Sequence, residues 1–135
     1  SPQGNPDNDR NEQYTDLSVW LTASGADAVV DYLCPQIYWG YGYTLSSGST
    51  RFAFENITAE WLALPRAEST ALYFGLGAYR VGVGDGGASA LARQVTDLRS
   101  AGVGGWALYR YGSLFRSDES GLAAAERAAL TALDG

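Results

Sequence analysis

Hydrophobic and polar positions follow two alternating rhythms along the chain. The opening "SPQGNPDNDRNE" is polar and rich in turn residues, so it reads as a loop. Tyr14, Leu17 and Leu21 then recur at helical spacing, with Trp20 widening the stripe and Gly25 closing it. "VVDYLCPQIYW" is almost continuously apolar, the pattern of a strand buried on both faces. A Gly- and Ser-rich loop over 40–54 leads into a short helix marked by Ile57, Trp61 and Leu64 and stopped by Pro65. "ALYFGLGAY" is the next strand, followed by a second glycine-rich loop, "RVGVGDGGAS". Leu91, Val95 and Leu98 give a helical face that ends at Gly102, and "GGWALYRY" is a third strand. The loop "GSLFRSDES" comes next. In it Ser117 is suited to cap, and Asp118 and Glu119 to open, the alanine-rich helix that closes the chain.

The order is loop–helix and then strand–helix three times. Strands start near 31, 71 and 104, so the units are roughly 30–40 residues long, as in the βα repeats of a parallel sheet. "SPQGN" looks like the end of a strand whose body lies upstream, which predicts four βα units with the first strand clipped. That is a single partial domain over 1–135, the C-terminal half of an eight-stranded (β/α)8 barrel, with strands near 31–39, 71–78 and 104–110. Strand alternation assigns the faces. Leu33, Pro35 and Ile37, Leu72, Phe74 and Leu76, and Trp106 and Leu108 should meet the helices. Tyr32, Cys34, Gln36 and Tyr38, Tyr73, Gly75, Gly77 and Tyr79, and Ala107, Tyr109 and Tyr111 should point to the barrel axis. Tyr38, Tyr79 and Tyr111 end the three inward rows, at the strand ends where parallel βα folds bind ligands.

Composition narrows the chemistry. The net charge is -6 and all nine basic residues are Arg, scattered along the chain. Neither nucleic acid nor an anionic membrane is therefore an expected partner, and no apolar run is long enough to span a bilayer. The absence of His and Lys excludes Ser–His and Cys–His catalysis, His metal sites, Schiff bases and Walker loops within this chain. No cofactor is expected, and acid–base work must fall to Asp, Glu, Tyr or Cys. The single cysteine, Cys34, lies in an apolar strand and reads as an inert buried thiol. With Ser1 first and no Met, the chain is expected to be an excised piece.

"SPQGNPDNDRNEQYTD", "DYLCPQIYWGY", "LYFGLGAYRVG" and "GGWALYRYGSLF" together resemble the C-terminal half of a bacterial family, glycosyl hydrolase-like family 10. The resemblance covers nearly the whole chain, and "VDYLCPQIYWG" beside "GLGAYRVG" is its most specific part. It implies a (β/α)8 barrel in which these segments form the end of strand five and then strands six to eight. It also implies a glycoside hydrolase acting on a bacterial or dietary saccharide, outside the cell or in its envelope. The family's aspartate-rich segment at the end of strand four would lie upstream of Ser1.

Two readings of the crowded rings after strand one stand side by side. Tyr38, Trp39, Tyr41 and Tyr43 either cap the barrel core and pack within their own loop, or offer flat faces to a sugar. Gln36 suits hydrogen bonds to sugar hydroxyls or a structural bond inside the barrel. Arg80 and Arg110 follow strand ends and could hold a ligand or a loop carboxylate; Tyr79 and Tyr111 complete the expected rim. Glycosidases need two carboxylates, and Asp85, amid glycines, is the one weak candidate. Asp7, Asp9 and Asn11 have a faint calcium-loop spacing but lack its Gly and Glu, so helix capping is favoured there. The resemblance implies that Asn5 and Asn8 lie at the site edge as ligand candidates. Asp31 starts its strand and belongs to the stability end, while Glu55, Glu60, Glu119 and Glu126 read as helix-terminal or solvent-facing. A binding module without catalytic acids is the alternative to the enzyme fragment. If the open barrel half is real, the missing half or a second copy should cover it. A free-standing doubly wound α/β domain is the third reading, and it would need a complete first strand and a Gly-rich phosphate turn.

Overall fold

Strand pairing follows the two-residue rhythm of the apolar runs. The computed structural model describes residues 4–6, 17–83, 87, 90–116 and 121–134. Its elements are α1 (Leu17–Thr22), a 3-10 turn (Gly25–Asp27), β1 (Tyr32–Leu33), β2 (Gln36–Ile37) and α2 (Phe54–Ala63). After these come β3 (Ala71–Leu72), β4 (Phe74–Gly77), a 3-10 turn (Ala78–Arg80), α3 (Ala90–Ser100), β5 (Trp106–Tyr109), α4 (Tyr111–Phe115) and α5 (Leu122–Ala132). The protein is a mixed α/β structure with small parallel sheets.

Pro35 has no N–H to donate and splits the first strand into β1 and β2. The acceptor side runs on unbroken. Asp31, Leu33 and Pro35 carbonyls accept from the amides of Ala71, Tyr73 and Gly75 at 2.9, 2.9 and 2.8 Å, the every-second-residue spacing of a parallel ladder. All pairings are parallel, with Gln36 opposite Gly75, Ile37 opposite Leu76, and Leu76 opposite Leu108. The middle run is central, as the sequence order predicts.

The faces are those that alternation assigns. Leu33, Pro35, Ile37, Leu72, Phe74 and Leu76 are buried, and Trp106 and Leu108 half-buried. They pack with Leu17 and Leu21 of α1, Phe54, Ile57 and Trp61 of α2, and Leu91, Val95 and Leu98 of α3. α3 stops as Gly102 predicts. With φ at +79°, Gly102 donates to Arg99 and the next amide, Val103, donates back to Leu98, each at 3.0 Å, a Schellman closure. The opposite face of the sheet carries tyrosines and, among the described residues, no helix. Tyr32 and Tyr109 there are each more than half exposed.

Two expectations are corrected. Part of the loop "GSLFRSDES" is helical: Tyr111, Leu114 and Phe115 stand at i, i+3 and i+4, and burial of Leu114 anchors the turn as α4. The strand consequently ends at Tyr109, and Tyr111 does not continue its inward row. Glu126 is not solvent-facing; it is fully buried. Its carboxylate accepts from the Ala92 amide at 3.3 Å, and the nearby amides of Ala90 and Leu91 favour its charged form, so it caps the N-terminus of α3 from α5. Ser117, Asp118 and Glu119 lie outside the described residues.

Candidate functional site

Two glycines make room for the central rings. A Cβ on Gly75 would stand 3.4 Å from the Tyr38 ring, and one on Gly77 3.3 Å from the Tyr79 ring and 3.4 Å from Tyr38 Cβ. With no side chain there, tyrosines lie directly over the strand backbone. Tyr38 stacks on Tyr109 at 5.5 Å between centroids and 16° between planes. Tyr79 meets both edge-on, at 5.9 Å from Tyr38 and 6.2 Å from Tyr109. The three rings form one cluster at the C-terminal end of the parallel strands. Tyr79 is 46% and Tyr109 52% exposed, while Tyr38 is half-buried beneath them. Burial, then the neighbouring Cys34, Tyr109 and Tyr79, push the Tyr38 hydroxyl above its usual range, so it is a neutral hydrogen-bonding group at neutral pH. Cys34 is half-buried and not fully buried as expected, and that burial raises its thiol. Tyr32 and Tyr73, 5.2 Å apart, continue the aromatic stripe toward the strands' other end.

The sequence candidates divide sharply. Tyr38 and Tyr79 are brought together, and Gln36 lies half-buried on the same face, opposite Gly75. Trp39 is not part of the cluster. It shares the parity of Ile37 and stacks on Phe52 at 4.9 Å and 13°, with Gly4 so close that a Cβ there would stand 2.5 Å from the indole. Its carbonyl accepts from Gln94 Nε2 at 3.1 Å. Tyr41 is also committed elsewhere. Its hydroxyl donates to Asp97 at 2.6 Å, its ring lies on Phe54, and the Arg93 guanidinium sits 3.8 Å above it. Burial and the Asp97 bond hold that hydroxyl's pKa far above its usual range.

Arg80 is half-buried, 5.5 Å over the Tyr43 ring. With Tyr38 and Gln94 it lines a cavity of about 10 Å³, room for one water. Arg110 is exposed at the start of α4, and Tyr111, 63% exposed, stacks on Phe115 at 4.7 Å and not on the three clustered rings. Asn5 is half-buried beside Gly4, whose carbonyl accepts from Trp61 Nε1 at 2.7 Å. Asn8, Asp85 and the Asp7, Asp9, Asn11 spacing lie outside the described residues. Strand alternation puts Tyr109 on this face but predicts Tyr111 as the ring at the rim. The helical spacing at 111–115 was the signal that the row ends two residues sooner.

The acids have other work. Glu55 accepts from the Gly42 amide at 3.1 Å, Glu60 pairs with Arg51 at 2.6 Å, and Asp134 pairs with Arg99 at 2.6 Å. Asp97 holds Tyr41, and Glu126 caps α3. Asp27, Asp31 and Glu68 precede strands and so lie at the sheet's opposite end. No carboxylate among the described residues lies in the tyrosine cluster. Neither do three potential metal ligands gather anywhere among them. The glycines at 82–87 spell G-x-G-x-x-G. Gly82 follows the 3-10 turn after β4, and residues 84–86, 88 and 89 lie outside the described residues. Among the described residues no helix is long and apolar enough to cross a membrane. Comparison with protein-family models, curated proteins and solved structures returned no match.

Proposed function

We propose that the Tyr38–Tyr79–Tyr109 cluster is a saccharide platform and that the chain supplies it to a glycoside hydrolase-like (β/α)8 barrel. In that barrel the described strands form part of the C-terminal half. One observation carries the reading: three tyrosines, two of them half exposed, crown a parallel sheet at the end where βα folds bind ligands. Tyrosine offers a flat apolar face to sugar C–H groups and a hydroxyl to sugar hydroxyls. Hydrolysis needs paired carboxylates. They would come from outside the described residues, among which Asp85 is a weak candidate.

The commitment of Asp97, Glu55 and Glu126 to the fold favours a second reading, recognition without catalysis. Calorimetric titration with a panel of plant and bacterial oligosaccharides tests the platform. Tyr79→Ala and Tyr109→Ala should each lose about fivefold or more in affinity with little change in urea midpoint. Unchanged affinity in both variants would sink the proposal. Release of reducing ends that disappears in Asp85→Asn would select hydrolysis; binding with no release would select recognition.

A further inference from the structure

In a chain of net charge -6 whose cations are all arginines, a guanidinium without an acid partner stands out. Most of the described arginines are used within the fold. Arg51 pairs with Glu60, and Arg99 pairs with Asp134 and donates to the Leu133 carbonyl at 3.0 Å. Arg127 donates to the Leu114 carbonyl. Arg93 and Arg80 lie on tyrosine rings. Arg66 stands alone ahead of β3, at the sheet's far end.

Arg110 and Arg116 differ. Both are exposed, and among the described residues neither has a carboxylate within ion-pair distance. Both line one groove, with Ser113 and Tyr111 between them. Two like charges facing one groove raise its affinity for anions. The groove also has a flat apolar wall: Tyr111 stacks on Phe115 at 4.7 Å and 20°, with Arg116 held 5.7 Å from the Tyr111 ring. A planar fork beside an aromatic wall matches a ring that bears a carboxylate. The groove adjoins the platform as well, since Arg110 follows Tyr109 directly and α4 packs on the 3-10 turn that carries Tyr79.

We infer that the Arg110–Arg116 groove is a subsite for an acidic sugar, and that the saccharide on the tyrosine platform carries uronic acid units. The inference rests on the platform reading and fixes its substrate class. The guanidiniums take the carboxylate while the Tyr111 ring takes the apolar face of the sugar. The Ser113 hydroxyl is placed to meet a sugar hydroxyl.

The test is a calorimetric titration of the chain with an oligogalacturonate and with the same oligomer after its carboxylates are reduced to alcohols. The acidic oligomer should bind about tenfold more tightly at low salt, and the difference should shrink as salt rises. Arg110→Gln with Arg116→Gln should abolish the difference between the two oligomers. Arg110→Lys should restore it in part, because charge returns without the fork. Equal affinities for the two oligomers, or a preference that survives the double substitution, overturn the inference and leave the platform standing. Binding of neither oligomer, or of any member of the oligosaccharide panel, overturns both.

Discussion

Trp39 and Tyr109 separate two uses of a large ring. Trp39 lies between Phe52 and Gly4 on the helix side of the sheet, whereas Tyr109 is half exposed on the bare face. Trp39→Ala should therefore cost about 2–3 kcal/mol, below the full-burial range because the ring is only half-buried. Tyr109→Ala should cost well under half of that, and urea midpoints compare them directly. Glu126 makes a second prediction. Burial raises its pKa despite the α3 amides that favour the carboxylate, so the folded chain binds the proton more tightly than the unfolded chain. The contribution this makes to stability is complete below the ordinary carboxylate range and is lost as pH rises through the raised pKa. Glu126→Gln removes that titration. The stability of the unsubstituted chain relative to the variant should fall as pH goes from about 4 to about 7. A constant difference between the two urea midpoints across that range would refute the assignment.

Among the elements, the strands were legible because period-two alternation places Leu33, Ile37, Phe74 and Leu76 on one side and small residues or tyrosines on the other. The same parity puts Trp39 with Ile37, on the helix side, although the crowding of rings around Gly40 suggested a rim. α4 was hidden because Gly112 and Ser113 read as a turn, and only the burial of Leu114 by its neighbours makes the segment helical. Burial of Glu126 was not legible at all. It depends on α5 meeting the α3 N-terminus, and the local sequence carries no sign of that contact. Gly77 tests the strand-level account of the site. Gly77→Val places branched carbon against Tyr38 Cβ and the Tyr79 ring, both within 3.4 Å of even a first Cβ. It should cost about 1–3 kcal/mol and diminish the near-ultraviolet tyrosine dichroism as the rings part.

At the scale of the whole molecule, helices cover one face of a parallel sheet and tyrosines line the other. Parallel sheets are ordinarily covered on both faces, and five tyrosines, Tyr32, Tyr38, Tyr73, Tyr79 and Tyr109, share the one that no helix among the described residues covers. An apolar face of that kind recruits a cover. Light scattering of the isolated chain should show self-association; a stable monomer of 14.4 kDa would count against it. The central claim is narrower, that the C-terminal end of this face binds saccharide through Tyr38, Tyr79 and Tyr109. Its most direct measurement is an NMR titration that follows the aromatic side-chain resonances while oligosaccharide is added. The account predicts that the ring signals of Tyr79 and Tyr109 move first and saturably, that Tyr38 follows, and that Trp39 and Tyr41 stay in place. Saturable shifts at Trp39 and Tyr41 with Tyr79 and Tyr109 unmoved would contradict it.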